Sequence, residues 1–394
     1  MEASYVALRN VSDVLLGVVT IYKGAEIKKD RDASHTFYLI PSKEHLPEYD
    51  SSSSYNQNVW RWVINDFKPD LIQIWGTEFA HGLCALKVAG DIPSVVYIQG
   101  MMKELYHHSF DGMDFCERLK STTPRSIIKH ETYWSRKKRL QRQAEIEAAI
   151  ITRSQNVIVE SDWCAAHCLS IANGCKVFKS LLPINRDFYS FHWSADRMEP
   201  HSIFTSAGVN TIKGHHILIK ALAIIKRTYP DVKVYEPGEN YYYGNSFRRR
   251  IMRDSYISHI LSLEKECGLE GSIIRVGRLT PKQMGEYMEK CNVFVMSSVI
   301  ENHSSTLIEA MMVGVPCVTS YVGGISDYLH DGVNGYFYRS DEPEMLAYRV
   351  MELFADRDKC ISISNEARES TIKARCTLMD LTQDFKTIYS AIVR

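Results

Sequence analysis

No apolar run in this sequence reaches the ~18–20 residues that a membrane span requires. No basic stretch precedes the short hydrophobic run Val14–Tyr22, so that run reads as a strand and not as a secretory leader. These absences point to the cytoplasm and leave attachment at the inner face of the cell membrane open. Neither sign of charge is in excess: 47 basic and 47 acidic residues give a formal net charge of zero. Overall charge therefore indicates no polyanionic partner, and only local clusters can. The 10 cysteines include no C-x-x-C pair, and the tightest group is Cys164, Cys168 and Cys175. Zinc ligands come in closer pairs, so no metal is expected and the thiols read as buried residues of a reducing compartment. Nowhere does G-x-G-x-x-G follow a strand and open a helix, which disfavours a dinucleotide oxidoreductase. The opening stretch MEASYVALRNVSDVL looks like a helix end running into a strand with no Gly-rich turn before it. That is the pattern expected of a chain that is truncated or starts late.

What is present is an ordinary globular composition, 45% hydrophobic and 24% charged, over 394 residues. That length exceeds one core, so more than one domain is expected. The second half alternates strands and helices. Strands are expected at Ser202–Gly208, Val232–Glu236, Ser272–Val276, Val293–Ser297, Pro316–Ser320 and Asn334–Tyr338. Helices are expected at His215–Tyr229, Phe247–Cys267, Pro281–Lys290, Ser305–Val313 and Glu342–Ala355. In the first half, strands fit Val14–Ile21, His35–Ile40, Leu71–Trp75, Ser94–Ile98 and Asn156–Glu160, with helices at Asn56–Phe67 and Ala80–Val88. The pattern predicts two α/β domains with doubly wound parallel sheets. The aromatic, irregular stretch Asn185–Pro200 reads as a hinge. Ligands of such sheets sit at the carboxyl ends of strands, so a cleft between the domains is the expected site.

The strongest chemical signal is VMSSVIENHSSTLIEAMMVG, Val295–Gly314. A strand ends near Ser298, a loop carries Glu301, and Ser304 is placed to cap a helix bearing Glu309. The backbone N–H groups of Ser305 and Thr306, at the positive end of that helix, suit a diphosphate. A carboxylate on the helix can accept both hydroxyls of a ribose diol, and one on the loop can reach a sugar. Capping with two solvated glutamates would leave the same pattern.

From Val293 to Tyr338 the sequence resembles the family-4, group 1 retaining glycosyltransferases of GT-B fold: NVFVMSS, then ENHSSTLIE as E-x7-E, then AMMVGVPCVTSYVGG and DYLHDGVNGYFY. The resemblance implies two Rossmann-like domains facing across a cleft. These are residues 1–185 on the acceptor side and 186–370 on the nucleotide-sugar side, with helix 371–394 crossing back. It implies that Glu301 contacts the donor sugar, Glu309 the ribose, and that Gly323 and Gly324 let backbone approach the donor. AGVNTIKGHHILIKA resembles the family's phosphate loop, with Lys213 and Gly214 in place but the usual arginine absent. Lys213 would then neutralise the leaving diphosphate with help from helix dipoles. VGRL places Arg278 beside the nucleotide base. NVIVESDW and LLPINRDFY are similar to the interdomain connection of polysaccharide-assembly members. Where many members carry a first-domain histidine, this chain has Gln99–Gly100; His81, His107 and His108 are the alternatives on the acceptor side.

The resemblance implies transfer of a hexose from a UDP- or GDP-linked donor, without metal or other cofactor. The acceptor would be a glycan or lipid-diphosphate-linked glycan in capsule, exopolysaccharide or O-antigen synthesis. Retaining transfer tolerates the missing histidine, because the leaving phosphate can accept the acceptor's proton. Two other functions stay open: a nucleotide-sugar epimerase of the same fold, and a non-catalytic subunit that binds a sugar nucleotide or glycan. Arg118–Arg142 holds nine basic residues against Glu131 alone, interleaved with Ile127, Ile128, Tyr133 and Trp134. It reads as an interfacial segment on the acceptor side that suits an anionic membrane, or equally as a solvated helical face. No nucleic-acid motif accompanies it.

Overall fold

A computed structural model of the chain describes every residue except 1, 10, 12–13, 33–34, 43, 45, 207, 209, 239–252, 375–376 and 394; of residues 2 and 47 only the backbone is described. By contact the chain divides into two compact units. The first is Met1–Lys103, Leu140–Pro183 and Cys376–Arg394; the second is Glu104–Arg139 and Ile184–Arg375.

The first unit contains β1 (Leu16–Tyr22), β2 (Lys28–Arg31), β3 (His35–Pro41), β4 (Ile72–Trp75), β5 (Ser94–Tyr97), β6 (Asn156–Val159) and β7 (Lys176–Lys179). The first three form a mixed sheet in the order β1-β3-β2, with β1 parallel and β2 antiparallel to β3. The other four form a parallel sheet in sequence order. Strand β5 explains its layering. It is buried throughout, as a strand covered on both faces must be. Val96 joins a core with Val59, Leu83 and Ile150. Its neighbours Val95 and Tyr97 point the other way, onto Leu381, Phe385 and Ile388. Those three belong to the last helix, Leu378–Ile392, which packs in this unit beside helix Glu2–Arg9. Ser180 donates to Asp384 at 2.8 Å, and the hydroxyl of Tyr389 meets Gln73. Strands β2 and β7 were not anticipated: β2 is exposed along its length and charged (KKDR), and β7 carries lysines at both ends (KVFK), so neither shows an apolar run.

The second unit contains β8 (Glu199–Thr205), β9 (Lys233–Pro237), β10 (Ile273–Gly277), β11 (Cys291–Met296), β12 (Cys317–Ser320) and β13 (Tyr336–Tyr338). They form one parallel sheet in the order β10-β9-β8-β11-β12-β13. This is the doubly wound arrangement, and its order reverses between β8 and β11. The central strand β11, CNVFVM, is buried at every position. Helix Pro281–Lys290 starts with proline after a Thr280–Gln283 capping box, and helix Ser305–Val313 is capped by Ser304 and stopped by left-handed Gly314. The expected helix Phe247–Cys267 is described as Ser255–Glu266; residues 247–252 lie outside the described residues. The stretch expected to be a hinge is fastened to this unit. Trp193 donates through Nε1 to Cys291 O at 2.8 Å, and Arg368 donates to the carbonyls of Phe191 and Tyr189.

Glu104–Arg139, drawn from the first half of the sequence, packs in the second unit for identifiable reasons. His216 is buried between the hydroxyl of Tyr256, 2.9 Å from Nδ1, and Asp111 O, 2.9 Å from Nε2. Burial pushes its pKa down to about 3, so the ring is neutral and accepts from Tyr256 while donating to Asp111. Gly112, at φ +78°, permits this approach: a Cβ there would lie 2.7 Å from His216 Nε2. Lys220 bonds Gly112 O and Glu117, Thr123 N–H donates to Ser255, and Arg136 pairs with Asp254.

Candidate functional site

The reversal point of the second sheet lies between the loops that follow β8 and β11, and both predicted catalytic residues sit there. After β8 the chain makes a short turn, Thr211–Lys213, and enters helix His215–Thr228 through Gly214. Gly214 has φ +62°, and a Cβ there would come 1.8 Å from Ser297 O, so only glycine allows the loop to lie against the end of β11. Two hydrogen bonds join the loops: Val299 N–H to Ile212 O at 2.8 Å and Ser297 Oγ to Lys213 O at 3.0 Å. Lys213 Nζ consequently reaches Glu301 Oε1 at 2.5 Å across 88 residues of sequence. The same carboxylate oxygen accepts from Ser298 Oγ at 2.7 Å. Ser298 is itself held, its carbonyl accepting from Ser320 Oγ at the end of β12.

Gly323 completes this corner. Its φ is +54°, and a Cβ would fall 1.6 Å from Glu301 O; the N–H of Gly324 donates to that carbonyl at 3.3 Å. The glycine pair therefore has a purpose inside the protein, seating the loop after β12 against the backbone of Glu301. Sequence alone could not give that reason, because it depends on which carbonyl lies opposite.

Helix Ser305–Val313 leaves the same corner. Ser304 Oγ accepts from Leu307 N–H, and Ser304 N–H donates to the Tyr328 hydroxyl. Ser305 is exposed, Thr306 half-buried, and Glu309 lies one turn further along their face. Glu309 is half-buried yet makes no hydrogen bond or ion pair with any described residue, and burial alone drives its pKa up to about 7. An unpartnered carboxylate in that position is costly to keep. Arg278 is exposed just beyond β10, the edge strand.

The residues expected on the acceptor side divide between the two units. Gln99 is exposed just after β5 in the first unit. His81, on helix Ala80–Val88 of that unit, is half-buried with Nδ1 bonded to no described residue, and burial lowers its pKa. His107 and His108 belong to the second unit; His107 stacks edge-on with Tyr106, and His108 pairs with Asp111 at 2.6 Å. One organising residue was missed. Glu147, fully buried in the first unit, accepts from Thr77 Oγ1 at 2.9 Å and from the N–H groups of Met102 and Lys103 at 2.8 and 3.1 Å. It ties the loops after β4 and β5 together, while burial raises its pKa. Nothing in a helical run of EIEAAI distinguishes this glutamate from a solvated one. No group of three or more His, Cys, Asp or Glu among the described residues is placed to hold a metal ion.

Comparison with known proteins bears on family likeness and fold. Residues 186–370 match the model of the family "Glycosyl transferases group 1". Spore coat protein SA of Bacillus subtilis (strain 168) is 28% identical over 153 residues, which span 38% of this chain and 38% of that protein's length. Among solved structures, sucrose-phosphate synthase from Thermosynechococcus elongatus superposes over 95% of this chain and 88% of its own, with TM-score 0.68 and 16% identity. Anabaena HepE, in complex with UDP and glucose, superposes over 86% of this chain and 83% of its own, with TM-score 0.63 and 16% identity. The structural likenesses carry the fold, and the match to the family model carries the kinship. Over residues 186–370 the chain is similar to the group 1 glycosyl transferases, and its fold is GT-B.

Proposed function

We propose that this protein transfers a hexose, with retention, from a nucleotide diphosphate carrier to a glycan or lipid-linked glycan, in assembly of a capsule, exopolysaccharide or O-antigen. The observation that carries the reading is the Lys213–Glu301 pair at the reversal point of the sheet, followed by a helix whose Glu309 has no partner among the described residues. The positive charge of Lys213 and the N-terminus of helix Ser305–Val313 suit a diphosphate, and Glu309 suits the ribose diol. HepE was solved with UDP and glucose, which supports a uridine-linked donor here.

In the proposed reaction the C1–O bond to the diphosphate breaks and a C1–O bond to the acceptor hydroxyl forms on the same face. The acceptor's proton passes to a phosphate oxygen. Lys213 stabilises the negative charge that develops on the leaving diphosphate, and Glu301, steadied by Ser298, orients the sugar. The reading requires no metal. Without donor, Lys213 is engaged by Glu301; the diphosphate competes for that lysine and releases the carboxylate toward the sugar.

The test is a thermal-shift screen with UDP, GDP and their sugar conjugates, followed by a transfer assay. A ligand at a hundred times its dissociation constant adds about 2.7 kcal/mol. Lys213→Ala should lower turnover by about 100-fold or more, the scale set by removal of a single transition-state donor. A chain that responds to no nucleotide, or that loses nothing in Lys213→Ala, would sink the proposal.

A further inference from the structure

Five of the exposed large hydrophobic side chains among the described residues fall within 20 residues of sequence: Phe115, Leu119, Ile127, Ile128 and Trp134, each between 47% and 76% exposed. Three of them, Phe115, Leu119 and Trp134, share one surface. Phe115 and Leu119 are four apart on helix Phe115–Ser121 and share its face. The rings of Phe115 and Trp134 meet edge-on at 6.1 Å, so the start of helix Tyr133–Ser154 continues the same surface. Beneath it the segment is firmly built. Asp114 and Glu117 form a capping box, Ser121 Oγ lies 3.0 Å from the Tyr133 hydroxyl, and Tyr133 is buried against Phe110. The apolar groups are exposed on an ordered platform.

The charges around this surface separate into two sets. Arg125 and Arg136 are consumed internally, paired with Glu131 and Asp254. The acidic residues are consumed as well: Glu117 pairs with Lys220, and Asp114 caps its helix. Lys120, Lys129, Lys138 and Arg139 are exposed and form no ion pair with any described residue, and Lys137 makes only a cation–π contact with Tyr106. The uncompensated charge is positive and borders exposed aromatic and aliphatic groups. No described helix is long and apolar enough to cross a membrane, so a span does not account for these side chains.

We propose that Phe115–Arg139 is a docking surface for an anionic lipid bilayer. Phe115, Leu119 and Trp134 enter the headgroup boundary while the lysines bind acidic headgroups. Because the segment belongs to the same unit as Lys213, Glu301 and Glu309, docking holds that unit at the membrane. The inference goes beyond the transferase reading and does not depend on it.

Flotation of the full chain with phosphatidylcholine vesicles, with and without phosphatidylglycerol, tests it. Binding is expected only with phosphatidylglycerol and should weaken as salt rises. Reversing Lys120, Lys129, Lys137 and Lys138 to glutamate should reduce partitioning by about 100-fold or more, at roughly fivefold per basic residue. Combining Phe115→Ser, Leu119→Ser and Trp134→Ser should also reduce it, by at least about tenfold. Both variants should melt like the native chain and keep its nucleotide shift, since the altered side chains are exposed and distant in sequence from the donor corner. Equal binding to neutral vesicles, no binding, or undiminished binding by the variants would overturn the proposal. So would light scattering that finds a native dimer dissolved by the serine substitutions, which would make a second copy the occupant. A native chain that floats but ignores every nucleotide would refute the transferase reading and leave this one standing.

Discussion

Replacing Glu309 by glutamine should raise the melting temperature of the ligand-free protein at pH 8 and, in the same titration, erase its response to nucleotide diphosphate. The carboxylate is half-buried without a partner among the described residues, and burial lifts its pKa from 4.5 to about 7. A carboxyl whose pKa is raised on folding binds its proton more tightly in the native state. The native protein therefore loses stability as pH rises between about 4.5 and 7, and above 7 the full penalty is present. A shift of that size corresponds to about 3 kcal/mol. Glutamine keeps the shape and removes the charge, so the variant should gain on the order of 2–3 kcal/mol at pH 8, a rise of about 5 °C or more for a domain of roughly 200 residues. At pH 5, where the native residue is already protonated, most of the gain should vanish. Donor affinity should move the opposite way with pH, improving up to about 7 as the carboxylate ionises and can accept both ribose hydroxyls. Stability sacrificed at a binding site is a common trade. Equal melting of the two proteins at pH 8, or a nucleotide shift that survives the substitution, would show that Glu309 is an ordinary surface residue.

The second large effect is expected from single methyl groups far smaller than any catalytic side chain. Gly214→Ala would set a Cβ 1.8 Å from Ser297 O, and Gly323→Ala would set one 1.6 Å from Glu301 O; both glycines have positive φ. The opposing atoms are backbone carbonyls, which cannot rotate aside as a flexible side chain can. The loops must separate, and the bonds from Val299 to Ile212 and from Gly324 to Glu301 go with them. Each substitution should destabilise the chain by about 2–4 kcal/mol. Each should also cut transfer by about 100-fold, the usual result of displacing reacting groups by about 1 Å. Gly271→Ala is the control, because Gly271 also has positive φ, +82°, but its Cβ would meet nothing within 4 Å. It should cost about 1 kcal/mol and leave transfer unchanged. If Gly214→Ala behaves like Gly271→Ala, the close approach of the two loops is not what aligns Lys213 with Glu301.

Much of this molecule is written locally. Alternating strands and helices, the cap at Ser304 and the spacing of Glu301 and Glu309 follow from the hydrophobic period and from which residue types begin and end helices. Helices Ala80–Val88 and Ser305–Val313 have the bounds the periodicity predicts, and the strands of the second sheet fall within a few residues of theirs. The resemblance from Val293 to Tyr338 likewise rests on a contiguous run. Tertiary structure alone decided which distant groups meet. Lys213 reaches Glu301 because β8 and β11, far apart in sequence, are neighbours where the sheet reverses. Glu309 is distinguished by the absence of a partner among the described residues, which no sequence spells out. Glu104–Arg139 reads as part of the first half until His216 and Asp254 claim it for the second unit. In each case local propensity depends on a few adjacent residues, whereas burial and pairing depend on what the rest of the chain brings alongside.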